Sequence, residues 1–185
     1  MIKDTLAEAE SKMAKAVEVT REDFASIRTG RANPQMFHKL TADYYGAPTP
    51  LLQLASFTAP EPRVIIISPY DATSMQAIEK AIRDSDLGVN PTDDGKTIRV
   101  TLPELTEERR KDYIKMAHRK AEDGRVSVRN IRRHAKQSLE KLGSDGEVGK
   151  DDVTGAEKRL DGITKKHVDE IDEMLKHKEA ELLEV

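Results

Sequence analysis

The chain has 185 residues, with 31 basic and 34 acidic side chains, a formal charge of −3 and no cysteine. Without cysteine there are no disulfides, no thiolate catalysis and no Cys-based zinc or iron–sulfur site. Aromatic residues are 4% against 35% charged, with no Trp, a balance that suits long solvated helices better than a large β-sandwich.

The first segment carries its apolar or small residues at Ile2, Leu6, Ala9, Met13, Ala16, Thr20, Phe24 and Ile27. Steps of three and four predict one amphipathic helix with a narrow seam. Gly30 is placed to end it and Pro34 bars continuation. From residue 31 to 105 the pattern changes, and all eight prolines fall there. Runs at 37–45, 54–58, 64–68 and 97–102 predict short strands. Val64-Ile65-Ile66-Ile67 lacks alternation, which predicts a strand covered on both faces. Asp71 or Thr73 can cap a helix through Met75, Ile78, Ala81 and Ile82 that ends near Leu87-Gly88, and Asp93-Asp94-Gly95 reads as a turn.

A second long helix opens at Thr106-Glu107-Glu108, where the threonine can cap and the acids suit the positive helix end. Its seam runs Tyr113, Ala117, Ala121, Gly124, Val128, Ile131, Ala135, Leu139 and Leu142, and the small residues at its centre imply close approach by neighbouring helices. Gly143-Ser144-Asp145-Gly146 ends it. A third helix from about Asp151 carries Val153, Ala156, Leu160, Ile163, Ile171, Met174 and Leu182 on one stripe, with His167 and Lys178 at its margin. Three such seams, none able to bury itself, predict an α+β protein: an antiparallel three-helix bundle carrying an inserted small β/α/β domain. Residues 1–30 and 105–185 form the bundle in this reading and 31–104 the insertion. Two limbs of chain join them, hinged at Gly30, which has backbone freedom, and at Pro103, which also restricts Leu102.

Charge is unevenly spread. Residues 106–142 hold 12 basic and 6 acidic side chains, whereas residues 143–185 hold 7 and 13. Within the basic stretch Arg125, Arg129, Arg132 and Lys136 are spaced four, three and four, with Arg133 beside them. Each stripe position follows a seam residue by one, so the stripe lies roughly 100° from the buried face. Few acids on the same helix are placed to pair with it, and planar guanidinium groups suit bidentate phosphate contact. An RNA backbone or an acidic protein surface would each fit, and the RNA reading requires these groups to be neither locked in ion pairs nor turned inward. With no aromatic residue after Tyr113, base stacking is not expected and binding should be strongly salt-dependent.

Enzyme signatures are missing: no phosphate-binding glycine loop, no HExxH, and five histidines that are scattered in sequence. No catalytic residue, cofactor, metal or small-molecule substrate is expected. No apolar run approaches the ~18 residues of a membrane span. The segment Met1–Glu8 lacks an apolar signal core and carries acids, so the expectation is a cytoplasmic protein with no membrane contact.

Five blocks occur in one order: Arg28-Thr29-Gly30-Arg31-Ala32-Asn33-Pro34; Tyr44-Tyr45-Gly46-Ala47-Pro48; Gly95 to Val100 with Leu102-Pro103; Leu105 to Lys111; and Arg125 to Arg133. Together they resemble the signature of the ribosome recycling factor family over the whole chain. That resemblance implies an L-shaped pair of domains and a monomeric translation factor of the transfer-RNA-like shape, not an enzyme. The family binds the post-termination ribosome and, with elongation factor G and GTP, splits it into subunits for reuse. The implied partners are large-subunit ribosomal RNA and elongation factor G. The family's RNA-contacting arginines fall on Arg110, Arg129 and Arg132, with Arg28, Arg31, Arg109, Arg125 and Arg133 as weaker carry-overs. One departure is His134, where the family usually has Asp.

Overall fold

The structure is a computed structural model that describes residues 1–184. Three long helices dominate it: α1 (Ile2–Ala25), α4 (Glu107–Ser144) and α5 (Lys150–Leu183). Between α1 and α4 lie β1 (Thr41–Tyr44), β2 (Ala47–Pro50), the short α2 (Leu51–Leu54), β3 (Ala55–Glu61), β4 (Val64–Pro69), α3 (Met75–Arg83), β5 (Asn90–Asp93) and β6 (Ile98–Thr101). The chain packs as two compact units. One comprises residues 1–24 and 115–179, the other residues 25–114 and 180–184. No described helix is long and apolar enough to cross a membrane.

The helical unit is held by interlocking small and branched side chains. Leu6, Ala9, Met13, Val17, Thr20 and Phe24 form the buried face of α1, with Val17 taking the place expected for Ala16. Gly124 of α4 sits against Thr20 of α1 and Ile171 of α5, so three helices meet where there is no side chain. Thr20 meets its own hydrogen-bond need by donating to the Ala16 carbonyl at 3.0 Å, which makes a polar residue tolerable there. Arg125 reaches Asp172 and Arg132 reaches Asp161, so numbers rise on α4 as they fall on α5 and the pair is antiparallel. His167 and Lys178 are buried, not marginal. The His167 Nδ1–H donates to the Ile163 carbonyl at 2.7 Å, which satisfies it inside the bundle.

The other unit contains a four-stranded antiparallel sheet in the order β3-β4-β6-β5, and β1 and β2 pair separately as a hairpin. Its core is built from Phe37, Leu51, Ile65, Ile67, Ile78, Ile82, Ile98 and Val100, all at or near zero exposure. β4 lies inside the sheet and is largely buried, although Ile66 remains partly exposed. Two strands escape the sequence pattern because proline interrupts them. β2 has only β1 as partner and β5 is the sheet edge, the places where a missing N–H costs nothing. Residues 37–40 are not a strand: Asn33 caps a 3-10 turn at Pro34–Phe37, and the strand begins at Thr41. The helix expected to reach Leu87 stops at Arg83, where the Ser85 hydroxyl donates to the Ile82 carbonyl at 2.6 Å. α1 also ends early, at Ala25, and the following residues turn Ile27 and Arg28 into the interior.

Both limbs of chain dock on one turn of this unit. The Ala32 N–H donates to the Pro62 carbonyl and the Leu102 N–H to the Arg63 carbonyl, at 2.6 and 2.7 Å. The β5–β6 turn is fixed by Asp94, whose carboxylate accepts from the Thr97 and Lys96 amides at 2.8 and 2.9 Å. Those bonds, Thr97 first, hold its pKa below the ordinary carboxylate value. A depressed carboxylate stabilises the turn at pH values above its ordinary pKa, and that support disappears as pH falls through the lowered value. The Thr97 amide resonance is therefore expected to titrate with a midpoint below the ordinary Asp range. A midpoint at or above that range would show that the turn does not hold the anion.

Candidate nucleic-acid interface

The basic flank of α4 is exposed but largely paired. Arg129, with a side chain 57% exposed, stands 3.6 Å from Glu122. Arg132 is 37% exposed and its Nε donates to Asp161 of α5 at 2.7 Å. Lys136 lies 3.8 Å from Glu140, one turn on. Arg133 is exposed and forms no ion pair among the described residues. Arg125 is the most enclosed, 19% exposed between Glu122 at 3.0 Å and Asp172 at 2.7 Å. Burial works against its charge, but the bonds to Asp172 and Glu122 outweigh it and raise its pKa. The expectation of few acids in reach does not hold: Glu122 and Glu140 of α4 itself pair with Arg125, Arg129 and Lys136, and α5 supplies Asp161 and Asp172 from across the helix pair.

Those pairs do not close the surface to phosphate. An exposed carboxylate–guanidinium pair is worth about 0.2–1 kcal/mol, less than several phosphates acting together with counterion release. Arg129 and Arg132 can exchange partners at that cost, and Arg133 has no described ion pair to give up. Arg125, gripped on two sides, is better placed to hold α4 and α5 together than to leave them.

The remaining arginines lie in the other unit. Arg110 is half-buried, and its Nη1 donates to the Leu182 and Glu184 carbonyls at 2.9 and 2.7 Å, a cation on the negative end of α5. With Arg31 and Arg63 it lines a cleft of about 690 Å³ whose acids are Glu104, Glu181 and Glu184. Arg31 and Arg109 are exposed, the latter with its guanidinium beside Gly88. Arg28 departs most from expectation. It is 4% exposed, and its Nη2 donates to the Pro103 carbonyl. Burial lowers its pKa from the usual arginine value, and Tyr113 offsets that only in part. A side chain so enclosed presents nothing to a phosphate, so the RNA-contact expectation for Arg28 is withdrawn. Gly30 and Pro103, the expected hinge residues, both border these contacts. Gly30 does not take a positive φ, and a Cβ there would meet only the Glu184 carbonyl at 3.9 Å.

Sequence reasoning missed Asp161 and Asp172 as partners of the stripe, and no local signal could have supplied them. Which α5 residues face α4 depends on the register of two helices whose acids are spread all round. It also missed that Arg28 points inward, although its place one residue after the buried Ile27 was a hint.

The family model described as Ribosome recycling factor matches residues 20–183. The chain belongs to the ribosome recycling factor family. Ribosome-recycling factors of Nocardioides sp. (strain JS614) and Acidothermus cellulolyticus are 72% and 70% identical to it over 185 residues, covering 100% of this chain and 100% of each relative. A solution structure of the ribosome recycling factor is 41% identical with a TM-score of 0.79, covering 100% of this chain and 98% of the other. A further structure, of the T. thermophilus ribosome recycling factor and the E. coli elongation factor G bound to the E. coli post-termination complex, is 43% identical with a TM-score of 0.71 and full coverage of both chains. The helical bundle with its small β/α/β domain is thus the fold of ribosome recycling factors. These are translation factors.

Proposed function

We propose that the chain binds the post-termination ribosome and, with elongation factor G and GTP, splits it into subunits so that they can be reused. The observation that carries this reading is the whole-chain match to ribosome recycling factors, one of which is described, together with elongation factor G, in models of the two bound to the post-termination complex. In this reading α4 grips large-subunit ribosomal RNA through Arg129, Arg132 and Arg133, with Lys136 at one end and Arg109, Arg110 and Arg31 toward the other. The grip reads charge and backbone shape, since among the described residues no aromatic side chain lies on that flank. Arg110 has to trade two carbonyl acceptors for phosphate, so its contribution is smaller than its sequence position suggests.

The β/α/β domain takes the push from elongation factor G, and the limbs near Gly30 and Pro103 pass it to the anchored helices. The glycine at position 30 is not needed by the conformation described, which supports a use for it in movement. The protein acts as a monomer in the cytoplasm, without a cofactor, and the GTP is hydrolysed by the elongation factor.

The test is subunit splitting followed by light scattering, with purified post-termination ribosomes, elongation factor G and GTP. Dissociation is expected only when this chain, the factor and GTP are all present. Dissociation without GTP, or none with all three, would sink the reading.

A further inference from the structure

Arg28 is a long cation in the interior of its unit, at 4% exposure, and within that unit no described carboxylate pairs with it. Its Nε has no partner at strict hydrogen-bond geometry and neither has the hydroxyl of Tyr113, but that buried hydroxyl lies close enough to offset part of the cost of burying the charge. Beyond that support from Tyr113, the guanidinium donates to the Pro103 carbonyl. The contact is remote in sequence: Arg28 belongs to the outgoing limb, just before Gly30, and Pro103 to the returning one. The limbs' own backbones dock separately, Ala32 on Pro62 and Leu102 on Arg63. Arg28 is therefore the described side-chain tie from limb to limb.

A methionine of similar length would fill the same space without a buried charge. Replacing buried ionic groups by apolar ones of like volume is often neutral or stabilising. Pro103 is itself exposed, so its carbonyl can turn to water if the donor is removed. Stability thus gives no reason for arginine here, since burial works against its charge and Tyr113 offsets that only in part. What the guanidinium adds is direction: a bond that sets the spacing of two limbs which apolar contact alone would leave free to slide.

We infer that Arg28 is a positioning residue for subunit splitting, a tie that makes the two limbs move together when the β/α/β domain is pushed. This rests on the function proposed above. Arg28 touches no RNA in this role and acts through Pro103. Uncoupled limbs would let the domain yield to the push without moving the anchored helices, so binding would survive and splitting would not.

The test compares Arg28→Met and Arg28→Lys with the unaltered chain in three measurements. Arg28→Met is expected to keep or raise the thermal midpoint and to bind ribosomes within about twofold of the unaltered chain. Its splitting rate at saturating concentration should fall roughly tenfold, and Arg28→Lys, which keeps a donor, should recover part of that loss. A splitting rate equal to the unaltered chain's would overturn the inference, and so would an affinity loss matching the rate loss, which is the mark of an RNA contact. Should Arg28→Met fail to fold, Arg28→Lys decides through amide exchange. Faster exchange at both Ala32 and Leu102 together with slower splitting supports the tie, and unchanged exchange or unchanged splitting rejects it. An unaltered chain that splits nothing would instead remove the proposed function itself.

Discussion

Alanine at Arg129, Arg132 and Arg133 together is expected to weaken ribosome binding about a hundredfold near physiological salt while leaving helix content unchanged. Each lost phosphate contact forfeits released counterions, and at ~0.15 M salt this amounts to somewhat under one log unit per contact. The log–log salt dependence should flatten by about two to three units in the same variant. All three side chains are at least one-third exposed or fully at the surface, so little packing is lost. The ion pair at Arg132 adds a test of opposite sign. Asp161→Asn removes the carboxylate that holds Arg132 at 2.7 Å, and should tighten ribosome binding two- to fivefold at most. Equilibrium binding across a salt series checks both. Unchanged affinity and slope in the triple variant would mean that the stripe serves another partner, such as an acidic protein surface.

Gly124→Ala is expected to destabilise the bundle by about 1–3 kcal/mol, although alanine is the better helix former by about 1 kcal/mol. A Cβ at this position collides with Thr20 Oγ1, stands 3.3 Å from Thr20 Cβ and 3.1 Å from Ile171 Cδ1. Thr20 cannot simply turn away. Its hydroxyl is bonded to the Ala16 carbonyl, and a buried hydroxyl that loses its partner costs about 1–3 kcal/mol. Gly162→Ala supplies the contrast, because nothing lies within 4 Å of the added methyl and the change sits in α5. That variant should be more stable by about 0.5–1 kcal/mol. Combining Thr20→Ala with Gly124→Ala should recover most of the loss, since the collision needs both partners. Urea melts of the four chains measure all of this. A Gly124→Ala chain as stable as the unaltered one would show that α1 can shift away from α4 at little cost.

The helices and the basic stripe were legible because each rests on short-range pattern. Steps of three and four place a seam on a helix wherever that helix packs, and the position after each seam residue is a flank by geometry alone. The strands were less legible. β2 and β5 carry prolines, and what makes them strands is a partner that occupies the one side where an N–H is not needed. Thr106 illustrates a local signal that held: its hydroxyl accepts from the Arg109 N–H at 3.1 Å at the start of α4. Val17, Thr164 and Leu175 show the limit of pattern reading, being buried where Ala16, Ile163 and Met174 were expected: two adjacent residues can both fit a repeat, and Thr164 is tolerated inside because its hydroxyl donates to the Leu160 carbonyl.

Composition, periodicity and the order of the five sequence blocks were enough for the architecture, the family and the charge of the α4 flank. Such properties depend on residues within a few turns of one another, or on identity alone. Which arginines are free, paired or enclosed was decided only in three dimensions. Asp161 lies 29 residues from Arg132 and Pro103 lies 75 from Arg28, separations at which no sequence pattern reports a neighbour. A guanidinium's role follows from the groups around it, and those groups are brought there by the packing of the whole chain.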